Sequence, residues 1–582
     1  MTTSAVLLPI PVLLPLGVAT LLLVLAHWLP TRLSHVIAIA TALGVATICA
    51  ILARNGLDGP ILHWFGGWTP AASGKPDVVL GISFLADPAS AAVAAFAGVL
   101  FAAALLFASS YFDAIKSHFQ ILMLLFLAAI VGFCLTHDLF NLFVWFELMS
   151  VAAFALTAYP LGKSSLEGAF NFTITNGLAS FIMLAGVGLL YARTGTLDFT
   201  QMGHAVAAIG SDPVLTGGFC LIAAALLTKA AIVPFHMWLS DAHAVAPSPV
   251  SVIFSGIMVS VALFALTKLM AQVFIGDAAL MTPTRTLLQN LGAATALIGA
   301  AMAWAQRHLK RLLAFSTIAH LGIMLLGVAA VTTQGTAGFL LYLLGHGLVK
   351  GALFMVAGIL LALRASGDEI VLYRDGRALW PAGVAMALGG LLLGGLPWGL
   401  LHTGTDVVER AAPRLVPVIV LCSALTGAAV LRAAARIFAG VSGAPGVEIT
   451  APTERERERD DRPLWLMLLA CGLLLAIDLV PGTLLVPFFG DAAVRLMHPI
   501  GPWVDSRPAE ETLLLAYAPI VLTAVLVLSA VIRVRPTSRL ARSLFRVESR
   551  PFRALQFLHS GVVGDYVGWM AVGIAAFAVV MI

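Results

Sequence analysis

The chain has 582 residues, of which 60% are hydrophobic and only 11% charged, against about 25% charged in an average soluble domain. Together with a mean hydropathy of +0.99, that composition excludes an ordinary water-soluble enzyme. The 33 Lys and Arg against 29 Asp and Glu leave a net charge of +4, so no basic excess marks a nucleic-acid binder.

In chain order, apolar runs long enough to span a bilayer begin near residues 5, 34, 84, 119, 138, 167, 213, 248, 286, 312, 336, 381, 413, 463, 512 and 561. They predict an all-α polytopic protein of about 14–16 transmembrane helices. The first run, Val6 to Ala26, has no basic residue before it and no clean small-residue cleavage site after it. It reads as a first span, not a signal peptide. We divide the chain into N-terminal helices over 1–118, two blocks of five helices over 119–275 and 286–440, and C-terminal helices over 441–582. Each block contains a span interrupted by proline at a similar place, Leu227 to Pro234 and Gly394 to Pro397. Five is odd, so consecutive blocks enter the membrane from opposite sides. The pair is therefore predicted to form inverted repeats containing broken helices, as in transporters.

With sixteen spans, most Lys and Arg fall in loops on one side: Arg307, Lys310 and Arg311, the stretch Glu454 to Arg459, and the cluster Arg533 to Arg553. That side is expected to be cytoplasmic, which leaves both termini outside the cell inner membrane. The clusters read as solvated loops, and the basic 533–556 segment as a candidate for lying along the interface. Five cysteines lie in apolar runs with no CxxC or Cys/His spacing, which argues against iron–sulfur clusters, structural zinc and disulfides. No metal site is expected, since His236 and His243 are seven apart with no third ligand in view.

Ionisable groups cost about 2.5–3.5 kcal/mol at the centre of a membrane helix, so each is a functional candidate. Glu147 is surrounded by apolar neighbours in Phe143 to Ser150, and Lys229 lies about five residues before the break at Pro234. Burial penalises the charged form of both, so the two can exchange a proton near neutral pH. His243, His320, His346 and Lys350 follow, and His346 and Lys350 are four apart on one helix face. Histidine suits a proton relay because its pKa lies nearest neutrality. Lys268, nearer a helix end, reads as a residue that snorkels to the interface.

These residues carry a family resemblance. The stretch Lys229 to Ser255, with Pro234-Phe235-His236-Met237-Trp238-Leu239 and Asp241-Ala242-His243-Ala244-Val245-Ala246-Pro247-Ser248-Pro249, resembles the antiporter-like proton-translocating membrane subunits. Such subunits occur in NADH–quinone oxidoreductase, membrane-bound hydrogenase and Mrp-type multisubunit sodium–proton antiporters. Phe146 to Ser150, Leu309 to Ser316, Gly345 to Lys350 and Gly81 to Asp87 are similar to further family blocks, and the resemblance covers roughly residues 80–440. It implies Glu147, Lys229 and Lys350 as central proton-transfer residues, with His243, His320 and His346 as relay groups. It also implies no flavin, iron–sulfur cluster or quinone in this chain, other membrane subunits as partners, and protons, with sodium left open, as the species moved. No redox active site is expected here.

The chain departs from the pattern at Asn171, Ser260 and Thr405, where the family carries lysines. Asp406 and Glu409 are then candidate exit-side groups. Two other readings stand beside proton translocation: a non-conducting assembly subunit of such a complex, and a membrane partner in inorganic-carbon uptake.

Overall fold

A computed structural model describes residues 3–68, 81–112, 118–441, 446, 464–497, 512–532 and 562–581. The stretch Glu454 to Arg459 and the basic 533–556 segment lie outside the described residues. Among those described, eleven helices are long and apolar enough to cross a membrane, and five shorter apolar helices complete the match to the apolar runs. The protein is therefore a polytopic helical membrane protein.

The N-terminal part contributes α1 (Ile10–Val24), α2 (Thr31–Asn55), a hairpin of β1 (Ile61–Trp64) and β2 (Ser83–Ala86), and α3 (Pro88–Tyr111). Asp87 caps α3 by accepting from Ser90 N at 2.9 Å. The first block then runs through α4 (His118–Leu135), α5 (Leu139–Ala158), α6 (Lys163–Thr194), α7 (Phe199–Ile209), α8 (Pro213–Lys229), α9 (Met237–Val245) and α10 (Ser248–Phe274). The second contains α11 (Ala278–Ala305), α12 (Leu309–Ala329), α13 (Thr333–Arg364), α14 (Trp380–Leu393), α15 (Gly399–Ala411) and α16 (Pro413–Ala439). Last come α17 (Leu464–Asp478), α18 (Val486–Leu496), α19 (Thr512–Ile532) and α20 (Val563–Met581).

Features recur in the same order in the two blocks. The helices α6 and α13 are each 32 residues long. An isolated bridge joins the loop after each to the start of the preceding helix, Asp138 to Asp198 and His308 to Asp368. The long helices α10 and α16 both end in a π-helical turn, Met270–Phe274 and Ala435–Ala439. Shortly before that turn, each carries a buried base. Lys268 Nζ donates to Cys134 O at 3.0 Å and Thr136 O at 2.8 Å, while Arg432 donates to Trp304 O at 2.6 Å and Gln306 O at 2.7 Å. Both cap the carbonyl end of the first helix of their block, where a helix favours a cation. Lys268 therefore does not snorkel; its ammonium is satisfied inside the bundle.

Lys310 likewise departs from the solvated-loop reading. It is buried in the first turn of α12, and its Nζ donates to Ala246 O, at the C-cap of α9, at 2.6 Å. The basic residue fixes the end of a broken helix.

Candidate functional site

The first break begins at Lys229, the last residue of α8. Ala231 takes a φ of 51°, and the chain stays non-helical until Met237 opens α9. Two bonds hold the ends in place: Val233 N donates to Thr295 Oγ1 at 3.1 Å, and Trp238 Nε1 to Thr228 O at 2.9 Å. Lys229 is fully buried and points at α5, where Nζ donates to Ser150 Oγ at 2.7 Å and lies 4.9 Å from the centre of the Phe146 ring. Glu147, in the same turn of α5, interacts with Lys229 electrostatically, and its buried Oε1 has no protein hydrogen bond. The sequence-predicted acid and base thus share one pocket. The stripe of α5 that carries Glu147 also exposes Phe140, Val144 and Val151, so this carboxylate stands at the edge of the chain.

Between the first break and the centre the packing is aromatic. Phe172 stacks on Trp238 with ring centres 4.5 Å apart, and Phe254 contacts both Phe172 and His243 edge-on. His243 stacks on Phe354 at 4.6 Å, and Lys350 Nζ lies 5.9 Å from the centre of that same Phe354 ring. The fully buried Lys350 donates to Leu313 O at 2.6 Å. His320 and His346 lie together, with ring centres 5.4 Å apart. His320 bonds Tyr342 Oη at 2.5 Å through Nδ1 and Thr426 Oγ1 at 3.0 Å through Nε2. Both ring nitrogens of His243 and of His346, and the hydroxyls of Ser248, Ser251 and Ser316, are buried without a protein partner. Buried polar atoms of that kind are where internal water belongs, and a water-bridged line of them can pass protons.

The second break separates α14 from α15. Gly395 has a φ of +88°, and a Cβ there would lie 2.5 Å from Pro519 Cβ, so only glycine fits. The start of α15 is held by Asp478, whose Oδ1 accepts from Leu401 N at 3.2 Å. Asp406 is paired with Arg410 one turn on. Glu409 Oε1 is buried and has no protein partner.

Sequence reasoning missed Ser150, Tyr342, Thr426 and Arg432. A hydroxyl in an apolar span carries little signal by itself, but Arg432 stands in α16 where Lys268 stands in α10, and comparing the two blocks would have found it. Outside the spans, His137 and Asp198 border a cavity of about 740 Å³ with Asp87, Gln272 and Arg495. Burial and the Lys268 charge hold His137 down to about 3, whereas burial pushes Asp138 up to about 6.

The profile of a family described as NADH:quinone oxidoreductase/Mrp antiporter, transmembrane, matches residues 136–430, which takes in both breaks and the buried Lys229, Lys268, Lys310 and Lys350, and ends two residues before Arg432. The chain belongs to this family. Among curated relatives, the subunit designated N in the NADH-quinone oxidoreductase of Desulforudis audaxviator is 35% identical over 327 residues, covering 55% of this chain and 63% of that one. The subunit designated D in the Na(+)/H(+) antiporter of Bacillus subtilis is 32% identical over 242 residues, covering 42% and 48%. The chain thus spans less than two thirds of the length of either relative. A chain of the Mrp complex from Dietzia sp. DQ12-45-1b superposes with a TM-score of 0.72 at 24% identity, covering 90% of this chain and 100% of that one. The antiporter family fold therefore extends over most of this sequence, including helices beyond the matched profile.

Proposed function

We propose that the chain is a proton-translocating, antiporter-like subunit of a multisubunit membrane complex, in which other membrane subunits supply the driving reaction. Glu147, Lys229, His243, Lys350, His346 and His320 carry the proton, in that order, with internal water bridging the aromatic stretch between Lys229 and His243. The observation that carries this reading is Lys229, fully buried at the end of a broken helix and bonded to Ser150, with Glu147 in the same turn as that serine. A hydrogen bond to a charged group contributes about 1.5–3 kcal/mol. Moving a unit charge through 100 mV costs about 2.3 kcal/mol. Making and breaking the Lys229–Ser150 contact is thus on the scale of a membrane potential. Glu147 at the exposed edge of α5 is placed to receive the proton from a neighbouring subunit.

In the native complex, Lys229→Ala and Glu147→Gln should each abolish coupled proton movement while the complex still assembles. Unchanged pumping in both would leave the non-conducting assembly reading standing instead. We further propose that residues 119–275 and 286–440 are inverted five-helix repeats in the cell inner membrane, with both termini outside. The matched helices, π-turns and capping bases support the repeat, and the loop bias of Lys and Arg supports the orientation. A cysteine introduced near either terminus should react with an impermeant thiol reagent from the outer side only.

A further inference from the structure

The second broken helix carries Thr405 where the family resemblance expects its terminal lysine, yet Tyr342, Thr405 and Glu409 still gather polar groups beside it. We propose that the second block ends in a carboxylate relay, in which Tyr342 and Thr405 hand protons from His320 to Glu409. This rests on the proton-translocating reading above and names the outward limb of that route.

On α13, Tyr342, His346 and Lys350 are spaced four apart and so share one stripe; on α15, Leu401, Thr405 and Glu409 do the same. The two helices run antiparallel at backbone contact. A Cβ on Gly345 would lie 2.3 Å from Leu401 N, one on Gly404 2.4 Å from Tyr342 N, and one on Gly338 2.9 Å from Val408 N. This register sets Thr405 level with Tyr342, and Glu409 level with Gly338, nearer the end of α13 that the charge bias assigns to the outer side. The Tyr342 and Thr405 hydroxyls are hydrogen-bonded, and the Glu409 charge acts on Tyr342. At the inner end, His320 Nδ1 lies 2.5 Å from Tyr342 Oη, and the His346 ring is next in line.

The structure also separates the two acids. Asp406 is committed to its ion pair with Arg410, whereas Glu409 keeps a buried carboxylate oxygen with no protein partner. Glu409 is the acid open to a proton. A proton on His320 passes from Nδ1 to the Tyr342 oxygen as the tyrosine gives its own hydroxyl proton to Thr405. Thr405, whose hydroxyl otherwise donates to Leu401 O at 2.9 Å, gives its proton to Glu409. The carboxylate becomes a carboxylic acid and then releases one proton outward. Each hydroxyl ends with the proton count it began with, and one proton has moved. The terminal group therefore cycles between neutral and negative, where a lysine would cycle between positive and neutral.

The test is proton translocation by the intact complex in sealed vesicles, with assembly checked on native gels. Glu409→Gln and Tyr342→Phe should each slow translocation by about 100-fold, the usual scale for removing a proton-transfer group. Adding Thr405→Lys to the Glu409→Gln variant should recover most of the rate by returning a titratable group to the break. Wild-type translocation by assembled Glu409→Gln overturns the relay. If that variant does not assemble, wild-type translocation by Tyr342→Phe overturns it instead. Were Lys229→Ala inactive and Glu409→Gln fully active, only this outward limb would fail. Full activity in both would remove the proton-translocating reading altogether.

Discussion

Replacing Lys268 with methionine tests whether a lysine inside a span is a structural cap or a proton carrier. The substitution keeps the length and apolar volume of the side chain and removes only the ammonium. The residue is 1% exposed, and its ammonium makes two bonds, 3.0 Å to Cys134 O and 2.8 Å to Thr136 O. Each bond to a charged donor contributes about 1.5–3 kcal/mol, and a cation at the carbonyl end of α4 adds about 0.3–1 kcal/mol. Relief from burying the charge offsets several kcal/mol of that total, so the net loss is on the order of 1–4 kcal/mol. A many-span chain in a complex does not unfold in two states, so the readout is the temperature at which the purified complex dissociates. It should fall by several degrees in Lys268→Met and recover in Lys268→Arg, while translocation at 25 °C stays within about twofold of wild type because a stable cap takes no part in proton transfer. Lost translocation with an unchanged dissociation temperature would refute the capping argument and make Lys268 a proton carrier instead.

Other consequences are as direct. Ser150→Ala removes the 2.7 Å acceptor of Lys229 and should slow translocation by about 10–100-fold, the equivalent of 1.5–3 kcal/mol, in vesicles where the complex is fully assembled. Asp138 is pushed up to about 6 in the folded protein, above its ordinary carboxylate value, so its contribution to stability is lost as pH rises through about pH 4–6. Asp138→Asn, which retains the cap on Asn141 N, should flatten the thermal stability profile in that window by about 2–3 kcal/mol. Gly395→Ala meets both a φ of +88° and the Pro519 ring. Its dissociation temperature should drop, the left-handed backbone alone costing about 1–2 kcal/mol.

What the sequence made legible was local. Apolar runs announce spans, and Pro and Gly inside such runs announce breaks, which is why the two interrupted helices, Pro213–Lys229 and Arg377–Leu393, are among those too short to cross a membrane unbroken. Glu147, Lys229, His320, His346 and Lys350 stood out because a titratable side chain in an apolar run is rare. The groups that went unseen act through partners distant in sequence. Ser150 meets Lys229 across 79 residues, and Thr426 meets His320 across 106. Lys268 and Lys310 were visible but misjudged, since spacing alone cannot show that a distant helix ends beside them. In both cases a backbone carbonyl supplies the satisfaction that solvent was expected to supply.

The two breaks also explain how one architecture accommodates opposite chemistry. A broken helix offers a carbonyl end that favours a cation and an amide end that favours an anion. In the first break the carbonyl end carries the charge: Lys229 is the last residue of α8. In the second, the amide end does: Asp478 accepts from Leu401 N in the first turn of α15, and α14 ends with no base. Under the proposed relay, threonine at position 405, with Glu409 a further turn along, would leave the route to the outer face lined by hydroxyls and a carboxylate. On that proposal the missing lysine is a change in the sign of the terminal group, matched to which end of the broken helix holds the charge.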